Sequence, residues 1–144
     1  MNPGKYVVFA LDKERYGLPI EKVQQILPAT SVTRVPHSEP EVLGVFDLRG
    51  ETMTVVDTRF LLGIAESEPR IFIVVECEGR RVALTADIVD RIEEFTEDDI
   101  EEASEWVESE AGSFVGRKFG MLTVLLEPKT LLARGSLLRP PEAT

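Results

Sequence analysis

Residues 54–62 read Thr54-Val55-Val56-Asp57-Thr58-Arg59-Phe60-Leu61-Leu62, and residues 124–132 read Val124-Leu125-Leu126-Glu127-Pro128-Lys129-Thr130-Leu131-Leu132. Two apolar residues, an acid, a base and a Leu-Leu pair recur in the same places. A second match precedes this one in each half. Leu18-Pro19-Ile20-Glu21-Lys22-Val23-Gln24-Gln25-Ile26 aligns with Leu84-Thr85-Ala86-Asp87-Ile88-Val89-Asp90-Arg91-Ile92, sharing leucine, acid, valine and isoleucine. Two matches in the same order favour a duplicated unit, roughly residues 14–66 and 67–132. A stacked repeat array is excluded, because it needs at least about three units.

The segments around the repeats are short apolar runs separated by turn residues. Tyr6 to Leu11 reads as a strand, Asp12-Lys13-Glu14-Arg15 as a polar turn, and Tyr16-Gly17-Leu18 as the start of the return strand. Val42–Leu48 and Thr52–Val56 flank Arg49-Gly50-Glu51, where glycine can take the positive φ of a hairpin turn. Ile71–Cys77 and Arg80–Thr85 flank Glu78-Gly79. Phe114-Val115 and Met121–Leu126 flank Arg117-Lys118-Phe119-Gly120. Many short strands of this kind predict an all-β barrel or sandwich, and the duplication predicts two similar small barrels. Two segments depart from strand character. Thr58–Leu62 followed by Gly63 predicts one helical turn with a glycine stop. Thr96 to Glu108 is acidic and opens with a weak capping box, Thr96-Glu97-Asp98-Asp99, so a short helical turn is expected there.

A chain of 144 residues can bury one domain-sized core. Its net charge of -10 argues against nucleic acid, since a phosphate backbone requires clustered Lys and Arg. The 16 basic residues are scattered, with Arg80-Arg81 and Arg117-Lys118 the only adjacent pairs. Negative charge also disfavours an anionic membrane surface, and no run approaches the ~18 apolar residues of a membrane span. Met1-Asn2-Pro3-Gly4-Lys5 lacks the apolar core and cleavage site of a secretory signal. The single cysteine cannot form an internal disulfide and fits a reducing compartment. A cytoplasmic location is expected.

Little in the sequence points to catalysis. His37 is the only histidine and sits in a loop composition, Val35-Pro36-His37-Ser38-Glu39-Pro40, so multi-histidine zinc sites are excluded. Cys77 falls in step with Ile71, Ile73 and Val75 at period two. A buried, inert thiol is expected, because a reactive one needs an electropositive, accessible setting. No phosphate loop, dinucleotide fingerprint, G-x-S-x-G or calcium loop is present. No cofactor and no metal are expected. Arg49 stands out differently: beside Gly50 in a tight turn, its guanidinium is displayed, and arginine's planar fork suits interfaces.

The block Gly44-Val45-Phe46-Asp47-Leu48-Arg49-Gly50-Glu51-Thr52-Met53-Thr54-Val55-Val56-Asp57-Thr58-Arg59 resembles the CheW-like signature, which runs G-x-x-N-L-R-G, apolar residues, then a valine-aspartate pair and x-R. Tyr16 to Ile26 resembles the family's Y-G-x-x-I-x-x-V-x-E-I segment, and Val32-Thr33-Arg34-Val35-Pro36 also fits. The resemblance covers about Lys5 to Leu132. It implies two five-stranded, SH3-like β-barrels sharing a core, with short helical turns, in one domain over residues 1–135 and a C-terminal tail over 136–144. It implies no enzymatic activity, and a scaffold that docks on the regulatory domain of a CheA-type histidine kinase. It also implies binding of the cytoplasmic tip of a chemoreceptor coiled coil in a groove between the barrels. By resemblance, Arg49 and Val23 match positions of receptor contact. Ile26 and Leu11 fall in the same groove, as do Ile88 and Val89 from the second barrel.

Asp47 replaces the usual asparagine and Gln25 a frequent glutamate. An Asp47–Arg49 pair would modulate receptor binding. These departures keep open an adaptor of a divergent pathway, such as type IV pilus motility or developmental signalling. From other classes, an acidic hydrolase using unassigned carboxylates and a small-barrel binder of peptides or oligonucleotides remain alternatives.

Overall fold

The computed structural model describes residues 2–102 and 114–135. Strands β1 (Gly4–Leu11) and β2 (Glu14–Pro19) form an antiparallel hairpin. One 3-10 turn, Ile20–Lys22, leads into β3 (Val23–Pro28). Strands β4 (Val42–Leu48) and β5 (Glu51–Val56) form the next hairpin, followed by the short helix α1 (Thr58–Leu62). The second half repeats this order with β6 (Ile71–Cys77), β7 (Arg80–Ala86), β8 (Ile88–Phe95), β10 (Phe114–Lys118), β11 (Met121–Leu125) and helix α2 (Pro128–Leu132). The short strand β9 (Ile100–Glu102) has no counterpart in the first half.

Three hairpins turn on two residues in the left-handed region. These are Arg49-Gly50 (φ 53° and 83°), Glu78-Gly79 (54° and 75°) and Phe119-Gly120 (53° and 74°). Such turns match the twist of the flanking strands, and glycine takes the second position without steric cost. Helix α1 stops at Gly63, whose φ of 70° lets its N–H cap the last turn, as the sequence predicts. The capping box of Thr96 and Asp99 forms, but it opens only the 3-10 turn Glu97–Asp99 before β9 begins. The rest of the acidic stretch, over 103–113, and the expected tail at 136–144 lie outside the described residues.

The described strands form two sheets, ordered β8-β1-β2-β11-β10-β9 and β3-β6-β7-β5-β4. This corrects the expected division into 14–66 and 67–132. The β1–β2 hairpin pairs with β8 and β11, both from the second half. The β6–β7 hairpin pairs with β3 and β5, both from the first. Each half therefore places its leading hairpin in the sheet built by the other half's remaining strands. The links responsible are short, Ile20–Lys22 in one half and Asp87 alone in the other, and each turns the chain out of its own sheet. One sheet also has six strands where five were expected, because β9 pairs with the free edge of β10. A backbone bridge between Thr33 and Val45 ties the segment after β3 to β4 in the five-stranded sheet.

Among the described residues three apolar clusters follow from this exchange. The largest lies between the sheets and joins Phe9, Leu11 and Leu18 of one to Ile73, Val75 and Leu84 of the other, with Leu61 and Leu131 from the helices. A second fills the five-stranded barrel with Phe46, Met53, Val55, Phe72, Val74 and Ala83. A third, of Tyr6, Phe95 and Leu125, fills the other. Cys77 is buried with Ile73 and Val75, and Ile71 packs against them half-buried. Burial, and then the Glu78 carboxylate, push its thiol pKa up. The opposite face of β6 is buried too, because β6 separates two clusters.

Candidate functional site

Arg49 occupies the exposed tip of the β4–β5 hairpin. Its neighbour Asp47 accepts the Gly50 N–H at 3.3 Å and so braces the turn. No Asp47–Arg49 ion pair forms, and among the described residues the Arg49 guanidinium has no partner. Val23 opens β3 and packs half-buried against the inter-sheet core. A register shift between Val23 and Gln25 leaves Gln24 as the extra residue of a bulge. Ile26, further along β3, is 42% exposed.

In the second half, Val89 also packs half-buried on the inter-sheet core, and a register shift sits beside it opposite Val8 and Phe9. Ile88 next to it is exposed. Val23 and Val89 are thus equivalent residues bordering one shared core. Leu11 is different and corrects the expectation: it is 1% exposed inside that core, so its side chain presents nothing to a partner. Strand β1 has Tyr6 to Phe9 buried on both faces, so no alternation along it separates inside from outside.

The residue that sequence reasoning passed over is Arg59. Asp57 caps α1 by accepting the Arg59 N–H at 3.0 Å. Burial raises the Asp57 carboxyl pKa, opposed by the backbone N–H groups of Phe60 and Arg59. The Arg59 guanidinium, only 4% exposed, donates to both Asp12 oxygens (2.7 and 3.1 Å), to Asp87 (2.7 Å) and to the Ala65 carbonyl (3.0 Å). Asp87 in turn accepts the Asp12 N–H at 2.7 Å. The β1–β2 turn, the β7–β8 link and α1 therefore meet at one cation. Hydrogen bonding to Arg59 holds the Asp12 carboxyl below the usual carboxylate range. Beside it, Thr58 and Thr85 each accept the other's backbone N–H (3.1 and 3.0 Å) and lock α1 to β7. The repeat supplies a weaker copy of the ion pair, Lys129 to Glu78 at 3.1 Å across the β6–β7 turn. The available signal was the recurrence of acid-x-base at 57–59 and 127–129.

His37 lies exposed in a loop at φ 59°. Among the described residues no group of three or more His, Cys, Asp or Glu side chains could hold a metal ion, and no helix is long and apolar enough to cross a membrane. The site offers shape, a displayed guanidinium and half-buried apolar side chains, which suit docking of another polypeptide.

The CheW-like domain model matches residues 5–135 of this chain. The chemotaxis protein CheW of Klebsiella aerogenes is 30% identical over 105 residues, covering 71% of this chain and 63% of that protein. The protein of the same name from Bacillus subtilis is 31% identical over 110 residues, covering 74% and 70%. The chain spans 63% of the length of the Klebsiella aerogenes and Rhizobium meliloti relatives alike. The crystal structure of the scaffolding protein TtCheW from Thermoanaerobacter tengcongensis superposes with a TM-score of 0.79 at 26% identity, covering 88% of this chain and 90% of that one. With the family model matched across nearly all the described residues, the chain belongs to the CheW-like domain family.

Proposed function

We propose that this chain is a cytoplasmic, non-enzymatic scaffold that couples a chemoreceptor to a CheA-type histidine kinase, its two barrels acting as a single domain. The observation that carries this is the likeness to a solved scaffolding protein over 88% of the chain and 90% of that protein. The receptor's helical tip packs against the surface bearing Val23, Ile26, Ile88 and Val89, a helix-in-groove contact. Arg49, unpaired at its hairpin tip, meets a carboxylate or carbonyl on that helix. The kinase regulatory domain docks elsewhere.

Titration of a soluble receptor-tip fragment and of the kinase regulatory domain, each against Arg49→Glu, tests this. Receptor affinity should fall by well over about tenfold, because repulsion is added to a lost contact. Kinase affinity and the unfolding midpoint should hold. Loss of both partners would make Arg49 structural, and loss of neither would remove it from the interface. Asp47→Asn should leave receptor affinity unchanged, since Arg49 is already free and an asparagine oxygen still accepts the Gly50 N–H.

A further inference from the structure

Four polar side chains form a row at one end of the five-stranded barrel, on the face that carries Met53, Phe72, Val74 and Ala83 further in. Gln24 donates to Glu76 at 2.7 Å, Arg81 Nε donates to the Gln24 side-chain oxygen at 2.6 Å, and Arg81 Nη1 donates to Glu51. The row follows the strand order β3-β6-β7-β5, with Glu76 and Arg81 directly opposed. Arg81 reaches past β6 to bond β3 on one side and β5 on the other. The bulge after Val23 makes this possible, because the extra residue, Gln24, is brought to the side of the sheet that carries Glu76 and the guanidinium. At one end of the row stand Val23 and Ile26. At the other, Glu51 directly follows the Arg49-Gly50 turn.

We infer that Arg81 is a positioning residue for receptor binding: it ties the Arg49 hairpin to β3 and holds the Glu51 carboxylate away from Arg49. The inference rests on the receptor-contact reading above. Glu51 is two residues from Arg49 across a tight turn, and its carboxylate is the nearest in sequence after Asp47, which is engaged by the turn itself. With Arg81 present, Glu51 is occupied and Arg49 faces outward unpaired. Without Arg81, Glu51 is free to neutralise Arg49, and the hairpin tip loses its tie to β3. The fork matters: Nε serves β3 while Nη1 serves β5, a division that one lysine ammonium cannot reproduce. Individually these exposed pairs add little to stability, so the effect is in presentation of the interface.

The test uses the full chain and a soluble receptor-tip fragment. Arg81→Met should weaken binding about three- to tenfold, the scale of one or two lost exposed pairs. It should leave the kinase-domain affinity and the unfolding midpoint unchanged. Arg81→Lys should not restore binding, whereas Arg81→Met combined with Glu51→Gln should recover part of it. In an Arg49→Ala background Arg81→Met should add nothing. A full additional loss there would mean that Arg81 touches the receptor itself, overturning the inference. Should Arg49→Ala weaken binding while Arg81→Met does not, the inference falls and the receptor reading stands. Should Arg49→Ala change nothing, both fall. In the free protein, backbone 15N order parameters at Arg49 and Gly50 should drop in Arg81→Met, and unchanged values would also overturn the tie.

Discussion

Inside the five-stranded barrel Phe72 meets Phe46 with ring centroids 5.1 Å apart; inside the six-stranded one Tyr6 meets Phe95 at 5.8 Å. Tyr6 and Phe72 are equivalent residues of the two leading hairpins, but their partners are not equivalent. Phe46 lies on β4, and the matching residue on β10 is Gly116. Phe95 ends β8, and the matching residue after β3 is Ala29, which packs half-buried against the other cluster. A Cβ on Gly116 would lie 2.6 Å from the Phe95 ring. One ring has been moved from one strand to another, with a small residue left in its place each time. Duplicated barrels retain backbone and filled volume, while residue identities drift in compensating pairs, as close packing demands.

The largest effect should come from removing the relocated ring. Phe95→Ala should cost about 3–5 kcal/mol in urea unfolding, like Phe46→Ala in the sister barrel. If Phe95→Ala were nearly neutral, the two interiors would not be comparable cores. Next come the two ion pairs that join hairpin turns to helices. Arg59→Ala should cost about 2–4 kcal/mol, since a buried guanidinium and four hydrogen bonds are lost. This difference carries a pH signature. The folded Asp12 carboxyl lies below its unfolded value, so its contribution is present above the ordinary carboxylate range and is lost as pH falls from there through the lowered folded value. The gap between wild type and Arg59→Ala should therefore narrow on acidification.

Gly116→Ala should cost about 1–3 kcal/mol by overpacking against Phe95, and that penalty should shrink in a Phe95→Leu background. Additive losses in the double variant would separate the two residues and break the exchange argued above. The smallest effect belongs to Lys129→Ala. Its side chain is 69% exposed and pairs with an exposed Glu78, so neutral-pH unfolding midpoints should not move measurably. A loss matching that of Arg59→Ala would show the two ties to be equal after all.

Local features were legible because they are written in neighbouring residues. Arg49-Gly50, Glu78-Gly79 and Phe119-Gly120 announce their turns, Gly63 announces the end of α1, and the Leu-Leu repeat announces duplication. Hairpin exchange was not legible. Pairing of β2 with β11 and of β7 with β5 joins segments distant in sequence, and nothing in the spacing of apolar residues names the partner. The same limit hid Arg59. Its acceptors Asp12 and Asp87 come from two separate turns, and nothing in the residues beside Arg59 names them. For the candidate surface, tight-turn chemistry exposed Arg49 correctly, while Leu11, placed at the groove by resemblance alone, lies in a strand that is buried on both faces.

The exchanged hairpins also set an order of assembly during synthesis. As the chain leaves the ribosome, β1 and β2 emerge first but find no strand to complete their sheet. The strands β3 to β7 are all present once Ala86 is out, so the five-stranded barrel can close while four of its neighbour's six strands are still to be made. The first hairpin must wait for β8, and then for β11, which pairs alongside β2 at the very end. Severing the chain between α1 and β6 would leave each fragment holding a hairpin that belongs to the other. Two such pieces can complete their sheets only by finding one another.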